Sequence, residues 1–118
     1  MDIDSPSKVA RIRELNDNFR TTFAGGVVLL THGVDTLCAE VKAEVLSRVR
    51  SFSHFSSEND PHGEHDFGSF DIGSHKFFWK LSYYDRATFD QPENFGSEDP
   101  SDPAKTTRVL TIMLAEEY

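Results

Sequence analysis

Apolar residues fall at helical spacing near the start of the chain, at strand spacing in the middle and in an unbroken run near the end. Val9, Ile12, Leu15, Phe19 and Phe23 recur three and four residues apart, with Arg11, Arg13, Glu14 and Asn18 between them. This spacing predicts an amphipathic helix with one buried stripe. Ser5-Pro6 suits its cap and first position, and Gly25-Gly26 ends it. The short β-branched run Val27 to Thr31 predicts a strand, closed by His32-Gly33. A second helix, capped by Asp35, buries Leu37, Cys38, Val41, Val45, Val49 and Phe52 and turns Glu40, Lys42, Glu44, Arg48 and Arg50 to water.

From Phe67 to Tyr84 the period drops to two. Gly73-Ser74 is a two-residue turn, because glycine accepts the positive φ that such a turn needs. The register pairs Ile72 with His75, Phe70 with Phe77 and Gly68 with Trp79. One side then carries Phe70, Ile72, Phe77, Trp79, Leu81 and Tyr83. A lone ribbon is unstable in water, so the helices must cover this aromatic side. Ser53 to Asp66 and Arg86 to Thr106 are rich in turn formers and read as loops, with Phe89 and Phe95 expected to pack parts of the second one down. The tail TRVLTIMLAEEY has a helix-like start at Asp102-Pro103, but its Val, Ile and Thr content favours a short turn at Asp102 to Lys105 and a strand over 107–115. The prediction is a single α+β domain over 1–118: two helices packed on a mostly antiparallel four-stranded sheet, order α-β-α-β-β-β.

Composition agrees with a domain of this kind: 118 residues, 37% hydrophobic, with ten Phe, are enough for a core without disulfides or metal. The single cysteine, Cys38, excludes an intrachain disulfide framework. No apolar run is long enough to span a membrane, and the first twenty residues lack the features of a targeting peptide, so the expected location is cytoplasmic. The net charge of −8 is unevenly placed: thirteen of the twenty acids lie in residues 58–118, against five Lys or Arg. Such a surface repels a nucleic-acid backbone and attracts basic partners. Direct nucleic-acid binding is not expected either from Arg11, Arg13, Lys42, Arg48 and Arg50, which share their helices with acids.

Candidate chemistry is concentrated in His62-Gly63-Glu64-His65-Asp66. These types can hold a divalent ion, with His54 or His75 added, but the spacing matches no standard zinc signature. Glu64, His65, Asp66, Tyr83, Tyr84 and Asp85 are expected to meet at the open end of the hairpin, where carboxylate and imidazole suit acid/base work. No activated nucleophile and no phosphate-binding glycine loop accompany them, so no catalytic residue, metal or cofactor is assigned. The plainer expectation is that Asp66 takes backbone donors or the Trp79 indole N–H, and that one His ring stacks on an aromatic neighbour. Cys38 reads as a small buried hydrophobe. Asn16 and Asp17 stand one helical turn from Arg20, where an exposed intrahelical contact is expected; alternatively Arg20 pairs with Glu98 or Asp99. Asp90, Glu93, Glu98, Asp99 and Asp102, interleaved with Phe89 and Phe95, form a candidate surface for a protein partner with a basic face.

The blocks NDNFR (Asn16 to Arg20), TFAGGVVLLTHGV, NDPHGEHDFG (Asn59 to Gly68), FFWKLSYYD (Phe77 to Asp85) and GSEDPSDPAKTTRVLTIMLAEEY resemble a family of small bacterial proteins, DUF3768. The resemblance covers nearly the whole chain and implies no known chemistry. It implies a context among accessory proteins of plasmids and other mobile elements. The expected function is therefore a non-enzymatic acidic accessory protein of a bacterial mobile element, binding a host, phage or plasmid macromolecule and acting as an inhibitor of a defence or nucleic-acid-processing protein. The competing expectation is a small metal-dependent or acid/base enzyme centred on His62 to Asp66.

Overall fold

The hairpin forms in the predicted register. In the structure, a computed structural model that describes residues 4–118, strands β2 (Phe67–Ile72) and β3 (His75–Asp85) pair Ile72 with His75, Phe70 with Phe77 and Gly68 with Trp79. Gly73 turns the chain at φ 60°, a conformation that side chains with a Cβ rarely adopt. The predicted C-terminal strand is β4 (Thr106–Leu114), antiparallel to β3, and β1 (Val27–Leu30) lies parallel to β4. The sheet order is β1-β4-β3-β2, mixed but mostly antiparallel.

The first helix, α1, spans Asp4–Thr22. Pro6 thus falls in its first turn, where the missing N–H leaves no helical bond unmade. The cap expected of the Ser5 side chain lies outside the described residues. The second helix departs from expectation, because it is divided into a short α2 (His32–Asp35) and a separate α3 (Ala39–Ser51). Asp35 ends α2 instead of capping α3. The start of α2 is anchored by the far end of the chain: Glu117 accepts from Thr31 Oγ1 at 2.5 Å, Gly33 N at 2.8 Å and Leu114 N at 2.8 Å. These donors, the Thr31 hydroxyl first, hold the Glu117 carboxyl below its usual range. Cys38 precedes α3 and is exposed, not buried as expected.

The core is the aromatic side of the hairpin. Phe70, Phe77, Trp79 and Leu81 join Leu110 and Ile112 of β4, Phe19 of α1, Val34 of α2 and Val45 and Val49 of α3. Both long helices thus cover one sheet face, as predicted. Trp79 fits because Gly68, its cross-strand partner, has no side chain; a Cβ there would lie 2.6 Å from Trp79 Cε2. The indole N–H has no hydrogen-bond partner, so the bond expected from it to Asp66 does not form.

Candidate functional site

Strand alternation decides which polar residues meet under α1. Trp79, Leu81 and Tyr83 face the helices, and across β4 the same face ends in Arg108, the partner of Tyr83. On α1, Asn16 and Arg20 fall one turn after Ile12 and Asn16 respectively, so both point inward: Asn16 is 0% and Arg20 3% exposed. The structure therefore replaces the exposed polar handle expected of Asn16, Asp17 and Arg20 with a buried network.

Asn16 is its centre. Its amide donates to the Glu64 carbonyl at 2.9 Å and to Tyr83 Oη at 2.8 Å, and its Oδ1 accepts from Arg108 Nε at 2.8 Å. Arg108 can only donate, which settles the orientation of the amide. Tyr83 in turn donates to Glu64 Oε1 at 2.7 Å. Burial, with Glu64 adding to it against the Asn16 hydrogen bond, holds the Tyr83 hydroxyl far above its ordinary range. Tyr83 thus keeps its proton and donates at neutral pH.

A second cluster adjoins it. His65 sits at φ 54°, with Nδ1 at 2.9 and 3.1 Å from the two Asp17 oxygens and Nε2 at 3.7 Å from Asp60 Oδ2. Asp60, itself buried, also takes the His65 main-chain N–H at 3.1 Å. The imidazole stacks on Phe55, ring centroids 3.7 Å apart and planes 5° from parallel, which is the aromatic stacking expected of one His. Arg20 is paired with Asp17 at 3.3 Å and not with Glu98 or Asp99. Its guanidinium also donates to Val49 O at 2.9 Å and Arg50 O at 3.4 Å, and lies over Phe55 and Trp79. It thereby closes the C-terminus of α3, where a cation offsets the carbonyl dipoles. Burial lowers its pKa, opposed by Asp17.

Of the residues expected at the open end of the hairpin, Glu64, His65 and Tyr83 enter these clusters and Asp66 lies beside them. Tyr84 and Asp85 do not join them. Tyr84 points to the opposite sheet face and packs its ring 5.6 Å from Phe89, while Asp85 accepts from Thr88 Oγ1 at 3.1 Å. His62 is exposed and no contact of its ring joins it to either cluster. Among the described residues no group of three or more His, Cys, Asp or Glu side chains is placed to hold a metal ion. Sequence reasoning missed Asp60 and Arg108 as members; Tyr83 was expected beside Glu64, and their contact forms.

Asp66 carries a testable consequence. Its carboxyl is pushed above the usual range by burial first and by the Glu64 charge second. A raised native pKa means that ionisation costs stability, a cost that grows as pH rises through the unfolded-state value near 3.9. Asp66→Asn should therefore melt above the parent at pH 7, with the difference closing as pH falls toward about 3. Melting curves across that range test it, and a difference independent of pH would refute it.

The acidic loop between β3 and β4 is built separately. Ser97 N donates to Tyr83 O at 3.0 Å, Asp85 N to Phe95 O at 2.7 Å, and Ser97 Oγ meets Thr106 Oγ1 at 2.7 Å. Asp99 accepts from Ser101 N at 3.2 Å and Oγ at 2.5 Å, which, the hydroxyl foremost, keeps its carboxyl below the usual range; Lys8 lies 3.8 Å away. Asp102 takes Ala104 N at 2.9 Å. Asp99 and Asp102 therefore shape the loop. Asp90, Glu93 and Glu98 are exposed without an ion pair among the described residues. Phe89 packs on Tyr84, but Phe95, expected to pack down, is 62% exposed.

Among the described residues no helix is long and apolar enough to cross a membrane. No curated protein and no solved structure matches the chain. A family described as "Protein of unknown function (DUF3768)" matches residues 30–117, from the end of β1 to the C-terminal turn. With most of its length matched, α1 and its Asn16 excepted, the chain belongs to the DUF3768 family.

Proposed function

We propose that the protein is a non-enzymatic binding module that engages a basic surface of another protein through the loop between Arg86 and Lys105. The observation that carries this reading is Phe95, 62% exposed on a hydrogen-bonded loop that also bears the unpaired carboxylates Asp90, Glu93 and Glu98. An exposed aromatic ringed by charge is the usual make-up of an interface anchor. Its loop is pre-ordered by the bonds to Tyr83 and Thr106, which lowers the entropy cost of binding. On the resemblance of its motif blocks alone, we extend the reading to an accessory protein of a bacterial mobile element.

The enzyme reading has less support. Tyr83 spends its hydroxyl on Asn16 and Glu64, His65 its ring nitrogens on Asp17 and Asp60, and no nucleophile stands beside them.

The test is affinity capture from a lysate of the source organism with wild-type protein, with Asp90→Asn/Glu93→Gln/Glu98→Gln, and with Phe95→Ala. A specific partner should be retained at low salt and released at high salt. The triple variant should lose it, and Phe95→Ala should weaken its binding about tenfold. Equal retention by all three proteins would refute the proposal.

A further inference from the structure

Arg108 is a buried cation with no carboxylate at ion-pair distance among the described residues. It is 4% exposed and donates to the Asn16 amide oxygen and to the Pro100 carbonyl, both neutral acceptors, while its guanidinium lies 5.3 Å from the Tyr83 ring centroid. Glu64 reaches it only through the Tyr83 hydroxyl. A charge in this position costs free energy unless an opposite charge comes to it.

Beside it is a cavity of about 200 Å³ between α1, the Gly25 turn and the start of β4. Arg86 stands on the same cavity, with Nη1 at 3.2 Å from Pro103 O. Among the described residues neither Arg86 nor Arg108 has a carboxylate at ion-pair distance. No Asp or Glu lines the cavity, although the chain carries twenty acids and a net charge of −8. Leu15, Phe19 and Pro103 supply an apolar wall, and Asn18 an amide.

We propose that this cavity is a binding site for a small oxyanion, held between Arg86 and Arg108, with a short apolar body against Leu15 and Phe19. Guanidinium groups present donors in the fork that both phosphate and carboxylate oxygens accept. The volume is below that of sites for drug-sized ligands, which limits the occupant to a few carbon atoms beyond the anionic group. The two ends of the acidic loop contribute Arg86 and Pro103 to the site, which does not depend on a protein partner.

The test uses the full chain at constant ionic strength, titrated separately with inorganic phosphate, with butyrate, and with chloride as the reference. The readout is the Nε–Hε resonances of Arg86 and Arg108 together with the melting temperature. A saturable shift of the Arg108 resonance with phosphate or with butyrate, accompanied by a rise in melting temperature, supports the site, and the anion that saturates first identifies the class. Arg86→Gln, an exposed change that leaves the core intact, should weaken that binding about tenfold. A response to both anions no different from chloride, or affinity unchanged in Arg86→Gln, would overturn the proposal.

Discussion

Replacing Asn16 by Leu should cost about 3 to 5 kcal/mol of stability, enough to lower the melting temperature by roughly 12 to 20 °C. Leucine keeps the number and branching of the side-chain heavy atoms, so the main loss is of hydrogen bonds. The change removes the two amide donors to Glu64 O and Tyr83 Oη and the acceptor for Arg108 Nε. An ordinary hydrogen bond contributes about 1 kcal/mol, one to a charged group about 1.5 to 3, and stranding a buried polar group adds its desolvation. Arg108 matters most, because at 4% exposure it cannot turn its Nε to water. Asn18→Leu is the control. It places the same side chain two residues away on the exposed side of α1 and should change stability by under about 0.5 kcal/mol. Thermal and urea unfolding of the two variants decide the matter: equal losses would mean that the network is incidental to folding.

The same residue marks the limit of what one-dimensional pattern can convey. The stripe Val9, Ile12, Leu15, Phe19 and Phe23 locates α1 and its inner side, and Ile12 and Phe19 are indeed buried. Asn16 and Arg20 lie on that inner side by spacing alone, yet their polarity argues for water. Only the approach of Tyr83, Glu64 and Arg108 from other elements reverses that. A signal was present all the same, since Asn16 stands four residues after Ile12 and three before Phe19. The hairpin was legible in full, register included, because a two-residue turn fixes pairing locally. The start of α2 at His32 was not, because Thr31 and Gly33 on either side of it are held by Glu117, more than eighty residues away in the chain. The parallel partnership of β1 with β4 is non-local for the same reason.

The polar clusters also account for where the chain keeps its chemistry. Arg20, Asp17, His65 and Asp60 join α1, the end of α3 and the loop before β2, while Asn16, Glu64, Tyr83 and Arg108 join α1 to the loop, β3 and β4. Each joint crosses elements far apart in sequence, and none leaves a nucleophile facing water. Residues that look reactive in the sequence thus act as clasps around the aromatic core. Asp90, Glu93 and Glu98 of the β3–β4 loop, by contrast, are exposed and take part in neither cluster.

Gly68→Ala should cost about 2 to 3 kcal/mol, a large effect for one methyl group, and the loss should shrink when Trp79 is made Phe. In the native ribbon a Cβ at position 68 would lie 2.6 Å from Trp79 Cε2 and 2.8 Å from Cζ2. The indole cannot withdraw. It is 0% exposed, with Phe52 edge-on at 5.5 Å, Phe55 at 6.1 Å and the Arg20 guanidinium at 5.0 Å. Backbone conformation is no obstacle, since Gly68 is absent from the residues of positive φ, so the clash alone carries the penalty. Trp79→Phe by itself opens space and should cost about 1 to 2 kcal/mol, partly offset because it removes an indole N–H that has no partner. Phenylalanine also lacks the indole atoms that the new methyl would strike. In the double variant the methyl enters the space left by the indole, so the combined loss should be smaller than the sum by at least about 1 kcal/mol. A double-mutant cycle read by urea unfolding measures that coupling. Strict additivity would mean that the strand yields around Gly68, and that the close fit of glycine against tryptophan does not set the register of the hairpin.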